Sequence, residues 1–306
     1  MKIALSEVQL DLGAGRRGTD MGPSAMHVAG LTQHLTRLGH TIGSRERFIA
    51  ARERADAGDA NARYLATIAQ LCRDLADHVE ARCEAGELPL VLGGDHAQAI
   101  GTISGMARYY HKRGERLGVL WVDAHTDMNT PATSPSGNIH GMALAVLLGH
   151  GPPELVSIAG DEPALRPEDV CVIGVRDVDP TEIPLVQGTK VGVYPMSEID
   201  ARTLQVCLEE AIARVSHHTV GVHISFDLDG VDPDDAPGVG TPVPGGLTLR
   251  EAHLVCEAVA RTERVLGMEM VELNPTLDVR NQTGRLAVWL IESALGRTIL
   301  GKRPKG

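Results

Sequence analysis

The sequence has no apolar run long enough to cross a bilayer, and its opening residues, MKIALSEVQLDLG, lack the extended apolar core of a secretion signal. A soluble, cytoplasmic protein is the expectation. It has no C-x-x-C pair either. Cys72, Cys83, Cys171, Cys207 and Cys256 are scattered, most of them inside apolar runs. That argues against a disulfide framework or a thiolate zinc site and predicts reduced, buried thiols. Nor is there an excess of basic residues: 29 Lys and Arg stand against 40 Asp and Glu, a formal net charge of -11. A nucleic-acid partner would call for a basic stripe, so none is expected. The acidic balance favours a cationic ligand only weakly, since many soluble proteins are acidic. Repeats, low-complexity tracts and linkers are missing as well. The length allows one or two domains, and with no break in composition residues 1–306 read as one. The basic tail LGKRPKG reads as a solvated end.

What is present is an alternation of short β-branched runs with longer segments of helical period. KIAL, LPLVLGGD, RLGVLWVD, DVCVIGV, VGVHISFDLD and VLGMEMVEL predict strands. Leu65, Ile68, Cys72, Leu75 and Val79 mark helical spacing within 61–84, and GMALAVLLG, TLQVCLEEAIARV, TLREAHLVCEAVA and TGRLAVWLIESAL predict further helices. The pattern predicts an α/β fold with a mostly parallel central sheet and helices on both faces. In such sheets ligands bind outside the carboxyl ends of the strands.

Those ends are where the unusual residues stand. One strand runs out into Asp95 and His96, another into Asp123, His125 and Asp127, a third into Asp227 and Asp229, and a fourth into Glu272 and Asn274. Strand alternation would put Asp123, His125 and Asp127 on one side, and Asp227 and Asp229 on another. Taken singly, an Asp-x-Asp is usually a turn and a histidine a core residue. Together, four carboxylates and two imidazoles converging on one point would repel one another unless cations neutralise them. Carboxylate and imidazole ligands without thiolate suit Mn²⁺, and six ligands suit two ions better than one. His217 and His218 read as loop residues and His223 as a strand residue. Histidines 27, 34, 40, 78, 111, 150 and 253 have no context that marks them.

The segments GGDH, DAHTDMN, GNIHGM and SFDLDGVDP resemble the ureohydrolases, a family of binuclear manganese enzymes that act on guanidino and related compounds. The likeness runs from GTDMGPSA to VELNPTLD and is closest to the arginase branch. It implies an arginase/deacetylase-like three-layer α/β/α sandwich. It implies one manganese on His96, Asp123, Asp127 and Asp227, and a second on Asp123, His125, Asp227 and Asp229. The implied reaction is hydrolysis of L-arginine to L-ornithine and urea by a metal-bridging hydroxide. Asn129, Ser136 and Asn138 would hold the substrate α-carboxylate, and Asp179 and Glu182 its α-amino group. Glu272 would orient the guanidinium with support from Thr241, Asp127 would also accept from the hydroxide, and His140 would shuttle the proton. A homo-oligomer, trimer or hexamer, is common in the family. The rival expectations are an agmatinase or other guanidino hydrolase and, least favoured, a non-catalytic sensor.

Overall fold

Eight short strands pair, all in parallel, into one sheet in the computed structural model, which describes residues 1–51 and 56–300. The strands are β1 (Lys2–Gln9), β2 (Thr41–Ile49), β3 (Leu88–Leu92), β4 (Gly118–Val122), β5 (Val170–Val175), β6 (Gly192–Pro195), β7 (Val222–Asp227) and β8 (Val265–Val271). Their spatial order is β2-β1-β3-β8-β7-β4-β5-β6. Because every pairing is parallel, all carboxyl ends lie along one edge. The last two strands of the chain insert between β3 and β4, so the strands that end in polar residues become neighbours. Apart from Leu300, the tail LGKRPKG lies outside the described residues.

The alternation of side chains builds two cores. Leu120, Val122, Ile224 and Phe226 face one side, against the helices Leu204–Val215, Leu249–Arg261 and Gln282–Ala294. Val119 and Trp121 face the other, against Leu65–Glu84, Ala99–His111 and Ala143–Leu147. These are the three layers. Both faces are covered, which is why the central strands read as continuous apolar runs.

Several elements depart from the sequence reading. β2 and β6 were not expected. β2 is an edge strand whose residues are mostly exposed or half-buried, and β6 has only four residues. The helix expected from residue 61 starts at Leu65, after Tyr64 adopts a left-handed conformation at φ 58°. The helix Ala99–His111 was also unread, because its period is broken by Gly101 and Gly105. Those glycines let it cross the preceding helix closely: a Cβ at Gly105 would sit 2.4 Å from the Ala76 carbonyl oxygen. The helix Leu249–Arg261 opens with a reciprocal cap between Thr248 and Glu251. Among the described residues, no helix is long and apolar enough to cross a membrane.

All five cysteines are buried as free thiols. Burial pushes Cys83 and Cys171 up to about 12. At pH 8 a thiol with that pKa is about one part in 10⁴ thiolate. Native protein treated with a disulfide reagent at pH 8 should therefore show no fast-reacting thiol, and denaturant should release all five. A rapid native reaction would contradict this packing.

Candidate metal centre

The site gathers at the carboxyl ends of five adjacent strands, β3, β8, β7, β4 and β5. Contrary to the expectation from strand alternation, Asp123, His125 and Asp127 do not share one face of a strand, because β4 ends at Val122. The three converge instead through a tight loop. The Asp123 carboxylate accepts from the His125 backbone N–H at 2.7 Å, and Asp127 turns the chain at a left-handed φ of 50°. Asp227 is the last residue of β7, but Asp229 lies beyond it in a 3₁₀ turn, where its own N–H donates to the Asp227 carboxylate at 2.8 Å. His96 opens a short 3₁₀ turn after β3, capped by the Asp95 side chain.

His96 Nδ1 stands 3.2 Å from Asp123, 3.0 Å from Asp127 and 3.2 Å from Asp227. His125 Nδ1 stands 3.3 Å from Asp123 and 3.2 Å from Asp229. Two groups of ligand atoms, His96–Asp123–Asp127 and Asp123–His125–Asp229, each lie within 4.8 Å of one another and could hold a metal ion; Asp123 belongs to both. The donors fit a cation in a further respect. His96 Nδ1 and Asp127 Oδ2 are buried and make no hydrogen bond of good geometry, although oxygens surround the imidazole nitrogen. A buried polar atom without a hydrogen bond is costly, and atoms aimed at a common point beside one another are what a metal ion satisfies.

The electrostatics agree. Burial and the Asp123 charge push Asp127 up to about 7. Burial and their carboxylate neighbours raise Asp227 and Asp229 above the usual range. Burial also works against the Asp123 carboxylate, but the facing His125 and His96 outweigh it and hold Asp123 below that range.

Around this centre the other expected residues take definite places. Glu272, at a left-handed φ of 64°, accepts on Oε1 from the His96 N–H at 2.9 Å and pairs there with His140 Nδ1 at 3.0 Å. Its Oε2 is buried and has no hydrogen-bond partner. Burial pulls the His140 imidazolium down, but the Glu272 carboxylate outweighs it and His140 is pushed up to about 9. Thr241, expected to support the guanidinium end, lines the cavity, and its hydroxyl donates to Asp229 at 2.8 Å and braces that carboxylate. Glu182 accepts from the Thr126 hydroxyl, and from the Met128 N–H at 2.6 Å, so it braces the Asp127 loop. Asn129 donates to Asp179 at 2.8 Å, and the Ser136 hydroxyl accepts from the Asn138 N–H at 3.2 Å. A cavity of about 200 Å³ is lined by His125, Asp127, Asn129, Ser136, Asn138, His140, Asp179, Glu182, Asp227, Asp229 and Thr241, among others. A wider opening of about 520 Å³ adjoins it, with Arg16 and Asp177 on its rim.

Sequence reasoning missed several supports. The Trp121 indole donates to Asp123 at 3.0 Å and stacks on His96 with ring centroids 4.1 Å apart. Arg176, in the segment GVRDVDPTE, spends its guanidinium on the carbonyls of Gly174, Asp229, Gly230, Val231 and Val243, stapling the loops behind Asp229. The signal for Trp121 was an aromatic two residues before Asp123 in an otherwise aliphatic strand. His223, read as a strand residue, is one.

Fold and site together mark a metal-dependent α/β hydrolase. Residues 1–296 match the model of the arginase family, and the chain belongs to that family. It is 47% identical to the arginase of Bacillus caldovelox, over 97% of this chain and 99% of that protein. The native structure of Bacillus caldovelox arginase superposes with a TM-score of 0.93 at 46% identity, covering 97% and 99% of the two chains. The Entamoeba histolytica arginase, solved in complex with L-ornithine, gives 0.89 at 29% identity, again over 97% and 99%.

If these carboxylates hold metal, Asp127→Asn and Asp229→Asn should each lower the metal bound per chain after dialysis, read by elemental analysis. Full metal content in both folded variants would contradict the assignment.

Proposed function

We propose that this chain hydrolyses the guanidinium group of L-arginine to L-ornithine and urea, using two Mn²⁺ ions held by the six residues above. His96, Asp123, Asp127 and Asp227 would hold one ion, and Asp123, His125, Asp227 and Asp229 the other. The observation that carries the reading is that one cavity is lined both by metal-competent carboxylates and by donors suited to an amino-acid end. When bound, the ions supply an acidified water as nucleophile near neutral pH.

The chain's own residues do the rest. Asn129, Ser136 and Asn138 offer amide and hydroxyl donors to the α-carboxylate. Asp179 and Glu182 offer acceptors to the α-ammonium, while Glu182 keeps its hold on the 126–128 loop. The free Oε2 of Glu272 is the acceptor for the guanidinium, since Oε1 is taken by His96 and His140. One engaged oxygen means a single strong contact at that carboxylate, which sets the angle of approach. The Asp127 carboxylate would hold a metal ion and would accept a hydrogen bond from the nucleophilic water. Glu272 pairs with His140 Nδ1 and favours the imidazolium, which would donate to the leaving amine. Thr241 acts through Asp229.

The family likeness supports one domain over residues 1–306 and a cytoplasmic homo-oligomer, trimer or hexamer. Urea release by Mn²⁺-loaded protein should occur with L-arginine and not with agmatine, which lacks the carboxylate that Asn129, Ser136 and Asn138 would hold. Release from agmatine alone would overturn those roles. His140→Asn should lower kcat by about 10² or more while both metals stay bound, as expected for loss of a proton donor. Loss of metal in that variant would make His140 structural.

A further inference from the structure

Behind His96, on the side away from the carboxylates, lies a buried polar chain that the proposed chemistry does not use. His96 Nε2 is 2.8 Å from the Ser225 hydroxyl. Ser225 donates to Glu269 Oε1 at 2.9 Å, and His223 Nε2 lies 3.4 Å from the same oxygen. All four side chains are buried, and Ser225 and Glu269 are direct partners in the β7–β8 register. On β7 the residues alternate strictly: Val222, Ile224 and Phe226 enter the apolar core, and His223, Ser225 and Asp227 share the opposite face. A parallel strand covered on both sides ordinarily has two apolar faces. Burying this much polarity costs free energy unless each group is hydrogen-bonded.

We propose that Glu269 and Ser225 are positioning residues that fix the tautomer of His96 for metal binding. The inference rests on the reading of His96 as a metal ligand. A carboxylate only accepts hydrogen bonds, so the single Ser225 proton goes to Glu269. The Ser225 oxygen then presents a lone pair to His96, and Nε2 must carry the ring proton. A neutral imidazole has one N–H, so Nδ1 is left bare, and Nδ1 is the atom that faces Asp123, Asp127 and Asp227. Trp121 stacks on the ring and keeps it in plane. With glutamine in place of Glu269, the amide group can donate to Ser225. In that orientation, which a carboxylate does not allow, the serine hydroxyl is free to donate to Nε2, which sends the ring proton to Nδ1 and blocks the ligand atom.

The test uses the full chain and Mn²⁺ alone, with Ser225→Ala and Glu269→Gln. Affinity is read by competition with a chelator, and electron paramagnetic resonance separates a spin-coupled manganese pair from a lone ion. The wild type should bind a pair. Each variant should show a lone ion at the same Mn²⁺ concentration and recover the pair only at about 10- to 100-fold more, the usual effect of losing such a partner. Glutamine fills the same space as glutamate, so a space-filling role alone would leave the affinity unmoved. Folded variants that match a metal-binding wild type overturn this inference alone. A wild type that binds no manganese overturns the proposed function, and this inference with it. If Glu269→Gln does not fold, Ser225→Ala, which removes one oxygen, decides the matter.

Discussion

Repulsion among buried carboxylates is the constraint on which the site depends. Asp123, Asp127, Asp227 and Asp229 are at most 6% exposed and crowd around two imidazoles. Two like charges within 4.8 Å cost at least about 3 kcal/mol at an effective dielectric of about 20. Two such pairs, Asp123 with Asp127 and Asp123 with Asp229, already reach the lower end of the whole stability of a domain, roughly 5–15 kcal/mol. A cation removes that cost, and the same crowding gives it an affinity no isolated carboxylate has. The surrounding residues hold the arrangement open for it. Trp121 fixes Asp123, Thr241 fixes Asp229, Glu182 fixes the loop around Asp127, and Glu272 fixes the start of the His96 turn. Asp127 and Glu272 sit in left-handed conformations that side chains rarely adopt, a local strain that the rest of the fold sustains.

The strand order makes the crowding possible. β7 and β8 come last in the chain yet occupy the middle of the sheet, between β3 and β4. Residues from His96 to Glu272 therefore meet at one edge. Parallel pairing points every loop the same way, and the two apolar cores beneath hold the strand ends in register. The helix Ala99–His111, packed tightly through Gly101 and Gly105, anchors the segment that carries His96. What the loops then add is chemistry of two kinds, a cation-binding cluster and a row of small donors along residues 129–138.

Much of this was legible before any coordinates. Buried parallel strands announce themselves as apolar runs, and acids or histidines at their ends stand out against them. That is how His96, Asp123, His125, Asp127, Asp227 and Asp229 could be grouped. The reason first given for part of that grouping, side-chain alternation, does not hold, because β4 stops at Val122 and a loop does the work. The edge strands β2 and β6 were missed because a strand with water on its flank has no continuous apolar signature. The contact of Thr241 with Asp229 was not legible because spacing does not reveal which of two nearby oxygens a hydroxyl will choose. Ser225 and Glu269 were passed over because each has apolar residues on both sides, in ISF and MEM. Only the register of β7 against β8 brings them together.

The proposal that matters most is that the Asp and His cluster at this edge of the sheet would hold two manganese ions. Anomalous diffraction at the manganese edge from crystals grown with Mn²⁺ tests it most directly. The account predicts two peaks, one against His96 Nδ1 and one against His125 Nδ1, with Asp123 and Asp227 between them. A single peak, or none, in a cluster whose side chains are otherwise in place would contradict it.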